Sequence, residues 1–275
     1  MKTILLHVQA DPAVAKRVET ALAIARAVDA HLEVLHVTSE DAAAVFQSFG
    51  GIDPDRSAER AFDAGEDALE AAVKKELSNE DIQWDYQRVT GSTAGSIVAK
   101  AALADLVLAG RLPRNGDSKS AAITVLGDVL MNSASPVFLR GDERDCFDPK
   151  GPCVIGWDGS FEVANAVRGG IDLIRQASQV HVVRVTEDGE EVPAGLYPVT
   201  DVLEYLSRNG VKAEYTRIAE VDGKVSKTLI DFAEDKGAEM LVVGGYGRSR
   251  LGEKLFGGTT HALLKACPIG LMVAH

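Results

Sequence analysis

The sequence predicts an α/β protein made of two tandem domains, each with a mostly parallel five-stranded sheet and helices on both faces. Short apolar segments alternate with amphipathic segments along the whole chain, and this alternation is typical of parallel strands joined by helical crossovers. The same order of segments then recurs in the second half. An acidic, polar stretch at 141–151 separates the two copies, so the predicted domains are 1–142 and 151–275.

The first half begins with signals that fix its first strand and helix. An apolar segment forms the strand, and Pro12 suits the first turn of the helix that follows. Apolar residues of that helix recur every three or four positions, which predicts one buried face. Segment 39–52 receives no assignment, because two glycines interrupt a weak helical pattern. The predicted strands are 3–8, 32–37, 83–89, 105–109 and 137–140, and the predicted helices are 12–28, 57–77, 96–103 and 123–132.

The second half repeats this order, with a shorter second helix. Single residues recur as well: Tyr86 and Arg88 match Tyr215 and Arg217. One α/β unit is therefore present twice. The predicted strands are 154–157, 179–185, 212–218, 241–243 and 270–274, and the predicted helices are 161–176, 199–209, 224–236 and 259–266.

Composition excludes several classes of function. The 275 residues carry a net charge of -12, so the overall field repels nucleic acids and anionic membranes. No segment approaches the ~20 consecutive apolar residues of a membrane span. Cys146, Cys153 and Cys267 form neither a disulfide framework nor a zinc motif, which fits a reducing cytoplasm. We therefore expect a cytoplasmic protein that binds neither nucleic acid nor membrane.

A glycine-rich loop is the strongest functional signal. Strand 241–243 is followed by the spacing G-x-x-G-x9-G, carried by Gly244, Gly247 and Gly257, and then by helix 259–266. Glycines let backbone N–H groups approach a ligand, and a helix start adds donors and a positive dipole end. The arrangement predicts a phosphate site; a βα turn that needs glycine for its geometry is the alternative.

Cations near this loop favour an anionic ligand. Arg248, Arg250 and Lys254 cluster in an otherwise acidic protein, although a solvated charged loop is the alternative. A P-loop is excluded, because Leu255 stands where Ser or Thr must bind the metal. A dinucleotide fingerprint is excluded, since Arg250 occupies the position of its third glycine.

The second half closely resembles the universal stress protein family. Residues 154–160 resemble the family's first strand with its Asp-Gly-Ser turn, and 181–185 resemble its second strand. The glycine loop resembles the family's nucleotide motif. The resemblance covers nearly the whole chain as a tandem pair, and it implies a Rossmann-like fold of the adenine nucleotide alpha-hydrolase type. It also implies that the last strand pairs the two domains.

Family members with the full motif bind ATP, so the resemblance implies ATP or a related adenine nucleotide in the second half. By position, Asp158 would contact the adenosine part through ribose or base. Gly156 and Trp157 would flank the base, and the backbone of Val185 would meet adenine. Mg²⁺ is a candidate companion of the phosphates, but we assign no metal ligand and no catalytic residue.

The phosphate end departs from the family at one position. Gly258 stands where the motif has Ser or Thr, so a hydroxyl donor is lost unless Thr259 or Thr260 supplies it. A lost neutral hydrogen bond costs about 0.5–1.5 kcal/mol, which weakens binding but need not abolish it. The residues implied for the phosphates are Gly244, Gly247, Arg248, Gly257, Gly258, Thr259 and Thr260.

The first half has lost this motif. Ala10 aligns with Asp158, and Pro113 replaces the second glycine, which removes an N–H donor. No glycine pair falls near Val125 and Leu126, which align with the last two motif positions. We expect this half to serve structure, domain pairing or another ligand.

Three hypotheses follow. The leading one is a stress-response protein in which a bound adenine nucleotide regulates dimerisation or an unknown protein partner. The second is a slow ATP hydrolase with Asp158, Glu253 or His261 as general base, and the third is a ligand-free scaffold. We expect the domains to pair within the chain, with a seam through Leu271, Met272 and Val273; a homodimer is a further alternative.

Overall fold

The computed structural model describes residues 1–39, 57–110, 119–141, 145–186, 197–245 and 258–275. The strands in these ranges are β1 Thr3–Val8, β2 His31–Ser39, β3 Trp84–Gly91, β4 Leu106–Ala109, β5 Val137–Leu139, β6 Cys153–Gly156, β7 Val180–Thr186, β8 Ala213–Ala219, β9 Met240–Gly244 and β10 Gly270–Ala274. The helices are α1 Val14–Val28, α2 Ser57–Leu77, α3 Thr93–Ala101, α4 Lys119–Asn132, α5 Phe161–Gly169, α6 Ile171–Ile174, α7 Val199–Arg208, α8 Val225–Asp235 and α9 Gly258–Ala266.

All these strands form one open, ten-stranded sheet in the order β3-β2-β1-β4-β5-β10-β9-β6-β7-β8. Every pair of neighbours is parallel except β5 and β10, which are antiparallel. Each half therefore has the same strand order, counted outwards from the centre. The predicted α/β class is confirmed. The seam lies where the sequence predicts it, with Leu271, Met272 and Val273 opposite Leu139, Phe138 and Val137.

Two apolar layers cover the two faces of the sheet and run across this seam. Alternate residues of a strand point to opposite faces, so Ile4 and Leu6 enter one layer and Leu5 enters the other. The first face is covered by α1, α2, α5, α6 and α7, and the second by α3, α4, α8 and α9. Each layer contains residues of both halves, so the halves share one continuous core on each face.

The predicted helix 161–176 is wrong in its middle, where Gly170 separates α5 from α6. A Cβ at Gly170 would lie 2.1 Å from Cε of Met272, in β10. Glycine at this position leaves room for the end of the flexible Met272 side chain, and glycine also weakens a helix interior. A second difference is the start of α3, where Ser92 accepts a hydrogen bond from Gly95 N at 3.3 Å and caps the helix before the predicted start.

Sheet registers correct one match between the halves. Leu6 in β1 and Ile155 in β6 are paired on both sides with corresponding residues of the neighbouring strands. Counting on from this pair, Gln9 corresponds to Asp158. The predicted match of Ala10 with Asp158 is therefore wrong by one residue, because the turn from β1 to α1 is longer than the turn from β6 to α5.

No helix in the described ranges is both long and apolar enough to cross a membrane.

Candidate functional site

The carboxyl ends of β6 and β9 form a crevice at the point where the strand order reverses. The two strands are neighbours, and their chains leave towards β7 on one side and β10 on the other. Open α/β sheets bind ligands at this kind of position. Of the predicted site residues, Gly156, Trp157 and Asp158 lie at the end of β6, and Gly244 lies at the end of β9.

A tight turn joins β6 to α5 and holds Asp158 at the surface. Gly159 has a φ of 76°, which favours glycine. Asp158 Oδ1 accepts a hydrogen bond from Ser160 N at 2.9 Å, and Ser160 Oγ accepts one from Val163 N at 3.2 Å. Ser160 is thus the N-cap of α5. The described hydrogen bonds use only one oxygen of the exposed Asp158 carboxylate, so its other oxygen can meet a ligand.

Trp157 lies in the core of the first face. Its Nε1 donates to the carbonyl of Tyr197 at 3.3 Å, and its ring borders a cavity of about 260 Å³ that Phe161 and Tyr205 also line. Val185 belongs to the apolar layer of the second face. The two side chains therefore lie on opposite faces of the sheet, and only their backbones share the crevice end.

Gly244 and Gly258 differ in whether the packing around them requires a glycine. A Cβ at Gly244 would lie 2.7 Å from Val163 N, so glycine is needed there to pack against the start of α5. Gly258 is the exposed first residue of α9, and no described atom lies within 4 Å of a Cβ built on it. Packing therefore explains Gly244 and does not explain Gly258.

The two threonines that follow are not equivalent. Thr259 is half-buried, whereas Thr260 is buried next to Gly245. Thr259 is therefore the more accessible source of a hydroxyl. The remaining predicted residues Gly247, Arg248 and Gly257, the cations Arg250 and Lys254, and Glu253 lie outside the described residues.

The corresponding crevice of the first half is filled by a buried arginine. Arg17 of α1 pairs with Asp11 at 2.8 Å and donates from Nε to the carbonyl of His7 at 3.0 Å. Its Nη1 would be 3.1 Å from a Cβ built on Gly110, at the end of β4. Burial, reinforced by the positive charge of Arg17, lowers the pKa of His7 to about 3.

Sequence reasoning missed Arg17. The sequence does contain a signal for it: Arg17 is a charged residue next to Val18, which belongs to the buried apolar face of α1. His36, His181 and Cys267 are buried. In the described part of the chain, no group of three or more His, Cys, Asp or Glu side chains could hold a metal ion.

Comparisons with known proteins support this architecture. The family model described as the Universal stress protein family matches residues 151–275. A universal stress protein from Archaeoglobus fulgidus DSM 4304 has a TM-score of 0.73 and 17% identity, over 99% of this chain and 95% of its own. A functionally unknown protein from Pseudomonas aeruginosa PAO1 has a TM-score of 0.59 and 16% identity, over 99% and 92%. No curated protein sequence matches the chain.

The same fold also occurs in another setting. The cytoplasmic domain of a prokaryotic cation chloride cotransporter has a TM-score of 0.52 and 10% identity, over 99% of this chain and 94% of its own. At these identities structural likeness shows the fold alone, and function has to be argued from the site. The family match at 151–275 is stronger evidence than the structural likeness, because the matched range includes the turn of Asp158, β7 and the whole glycine loop. The second half of the chain is a universal stress protein domain.

Proposed function

We propose that the second half binds ATP or a related adenine nucleotide in the crevice between β6 and β9, as a regulatory ligand in a stress response. The difference between the two crevices carries the proposal. In the first half the Arg17 guanidinium lies over Gly110. In the second half the matching strand ends carry an exposed carboxylate, Asp158, and are followed by the glycine loop. The proposal includes domains at 1–142 and 151–275, which pair through β5 and β10.

Each end of the nucleotide has a suitable partner in this half. The unused oxygen of Asp158 can accept a hydrogen bond from a ribose hydroxyl or a base amino group. The loop with Gly247, Arg248 and Gly257 leads into the N-terminus of α9, where unpaired N–H groups and the helix dipole favour phosphate. Bound nucleotide would then regulate a protein partner or further dimerisation.

Replacing Asp158 by alanine should weaken ATP binding at least about tenfold, because hydrogen bonds to charged groups contribute about 1.5–3 kcal/mol. Gly247→Val should have a similar effect by blocking backbone approach. Isothermal titration of the full chain gives both dissociation constants. Gln9→Ala is the matched control, since Gln9 holds the place of Asp158 in the first half, and it should bind ATP like the wild type. Unchanged binding in both site variants would overturn the proposal.

Gly258→Ser should strengthen ATP binding by about 2–12-fold. The serine restores a hydroxyl worth about 0.5–1.5 kcal/mol, and no described atom obstructs its Cβ. The same titration measures the gain, with Gly258→Ala as a control that adds the Cβ without the hydroxyl. Equal affinities of the two variants would argue against a phosphate at this position.

Mass spectrometry of gently purified, then denatured, protein separates this function from the ligand-free scaffold. A co-purifying adenine nucleotide would exclude the scaffold.

A further inference from the structure

The first half contains a buried polar network at the carboxyl ends of β2 and β3, on the first face. The carboxylate of Glu66, from α2, lies 2.8 Å from His36 Nε2 and accepts a hydrogen bond from Thr38 Oγ1 at 3.0 Å. The Tyr86 hydroxyl lies 2.8 Å from His36 Nδ1, and Arg88 Nε donates to Thr38 Oγ1 at 3.3 Å. Glu66 is the acceptor that completes the network.

The second half repeats four of these five positions. The register pairs His36 with Arg88 in the first half and Arg184 with Arg217 in the second. Arg184 thus takes the place of His36, and the other three positions keep their residue types as Thr186, Tyr215 and Arg217. The contact between arginine and threonine is also kept, since Arg217 Nε donates to Thr186 Oγ1 at 3.2 Å.

The carboxylate has no counterpart among the described residues of the second half. Buried Leu77 and Val73 of α2 correspond to buried Leu206 and Val202 of α7, at the same distance in sequence from the following strand. In this alignment the place of Glu66 falls at Gly195 in the sequence, ahead of the start of α7 at Val199. No acidic side chain is encoded at that place.

Two donors at the end of β7 have no acceptor among the described residues. Arg184 is only 8% exposed, and its buried Nε has no hydrogen-bond partner in the described ranges. Thr186 is also buried, and its hydroxyl receives a hydrogen bond from Arg217 but has no acceptor among the described residues. No carboxylate of the described ranges forms an ion pair with Arg184. A buried charge without a partner is strongly unfavourable, so the arrangement calls for an anion.

We propose that a small oxyanion, a phosphate or carboxylate group, binds where the second half lacks the carboxylate of Glu66. It would accept hydrogen bonds from Arg184 and Thr186, with Arg217 orienting the threonine. Guanidinium and hydroxyl donors suit both kinds of group. The site lies on the first face at the ends of β7 and β8 and uses no residue of the glycine loop, so it does not depend on the proposed nucleotide site.

The test is thermal unfolding of the full chain in chloride, inorganic phosphate or acetate at constant ionic strength. Phosphate should raise the Tm of the wild type relative to chloride, since a ligand of the native state stabilises it. Arg184→Met should remove this response and weaken phosphate binding at least about tenfold. In chloride the same variant should melt at or above the wild-type Tm, because it lacks an unpaired buried charge. If acetate also stabilises the wild type, the site accepts carboxylate as well as phosphate groups. If phosphate alone stabilises it, the site is selective for a phosphate group.

Two further variants keep the result clear if Arg184→Met folds poorly. Thr186→Val should reduce the phosphate response, whereas Arg208→Met, which removes a guanidinium from a side chain that is 74% exposed, should retain it. Equal phosphate responses in the wild type and Thr186→Val would overturn the proposal. So would a lower Tm of Arg184→Met in chloride with no phosphate effect on the wild type, since the guanidinium would then have a partner within the chain.

Discussion

Replacing Phe138 by alanine should lower the free energy of unfolding by about 3–5 kcal/mol, the usual range for truncating a fully buried phenylalanine. Phe138 lies in β5 opposite Met272 of β10, and none of its surface is exposed. Its ring packs edge-to-face on Phe147 with centroids 5.0 Å apart. Urea unfolding measures the loss. Phe161→Ala is the matched control, since Phe161 is 58% exposed, and it should change stability by less than about 1 kcal/mol.

The same experiment tests whether the two halves unfold together. Both apolar layers cross the seam, so we expect one cooperative transition. The chain has two tryptophans: Trp84 in the first half and Trp157 in the second. Each reports on its own half when the other is replaced by phenylalanine. Coincident midpoints, both lowered by Phe138→Ala, are expected; a shift confined to one tryptophan would contradict a shared core.

Most of the fold could be predicted because its signals are local. Apolar runs gave β1 and β10 their observed bounds, and the alternation of strands and helices gave the parallel order of each half. The break at Gly170 was missed although two adjacent glycines, Gly169 and Gly170, weaken a helix interior. The packing of Met272 against Gly170 is a long-range contact that sequence patterns do not reveal. The start of α3 was missed for a smaller reason: the cap at Ser92 competed with a weak apolar pattern.

The same contrast between local and long-range contacts applies to the candidate site. The turn of Asp158 and Ser160 depends on neighbours in sequence, and Ser160 caps α5. The role of Arg17 depends on its position over Gly110, which is distant in sequence, as well as on the nearby His7 and Asp11; the sequence signal at Arg17 did not reveal that position. Gly244 is weaker evidence for a ligand than the sequence suggests, because packing against the start of α5 already requires a glycine there. Asp158 therefore supports the nucleotide proposal better than Gly244 does.

Acidification should destabilise the protein through His7, and His7→Leu should remove that part of the pH dependence. The folded pKa of about 3 lies below the ordinary histidine value of 6.5, so between these values the unfolded chain binds a proton that the folded chain does not. Stability is therefore unaffected by His7 above pH 6.5 and falls as the pH drops towards 3. The His7 contribution should reach about 2 kcal/mol at pH 5.

The cause of this shift is the filled crevice of the first half. His7 is buried, its Nε2 has no hydrogen-bond partner among the described residues, and Arg17 opposes a second positive charge more than Asp11 favours one. Urea unfolding at several pH values compares His7→Leu with the wild type. The variant should have a shallower slope between pH 7 and 5. Equal slopes in the two proteins would mean that protonated His7 is accommodated, and that Arg17 does not close the first crevice to positive charge.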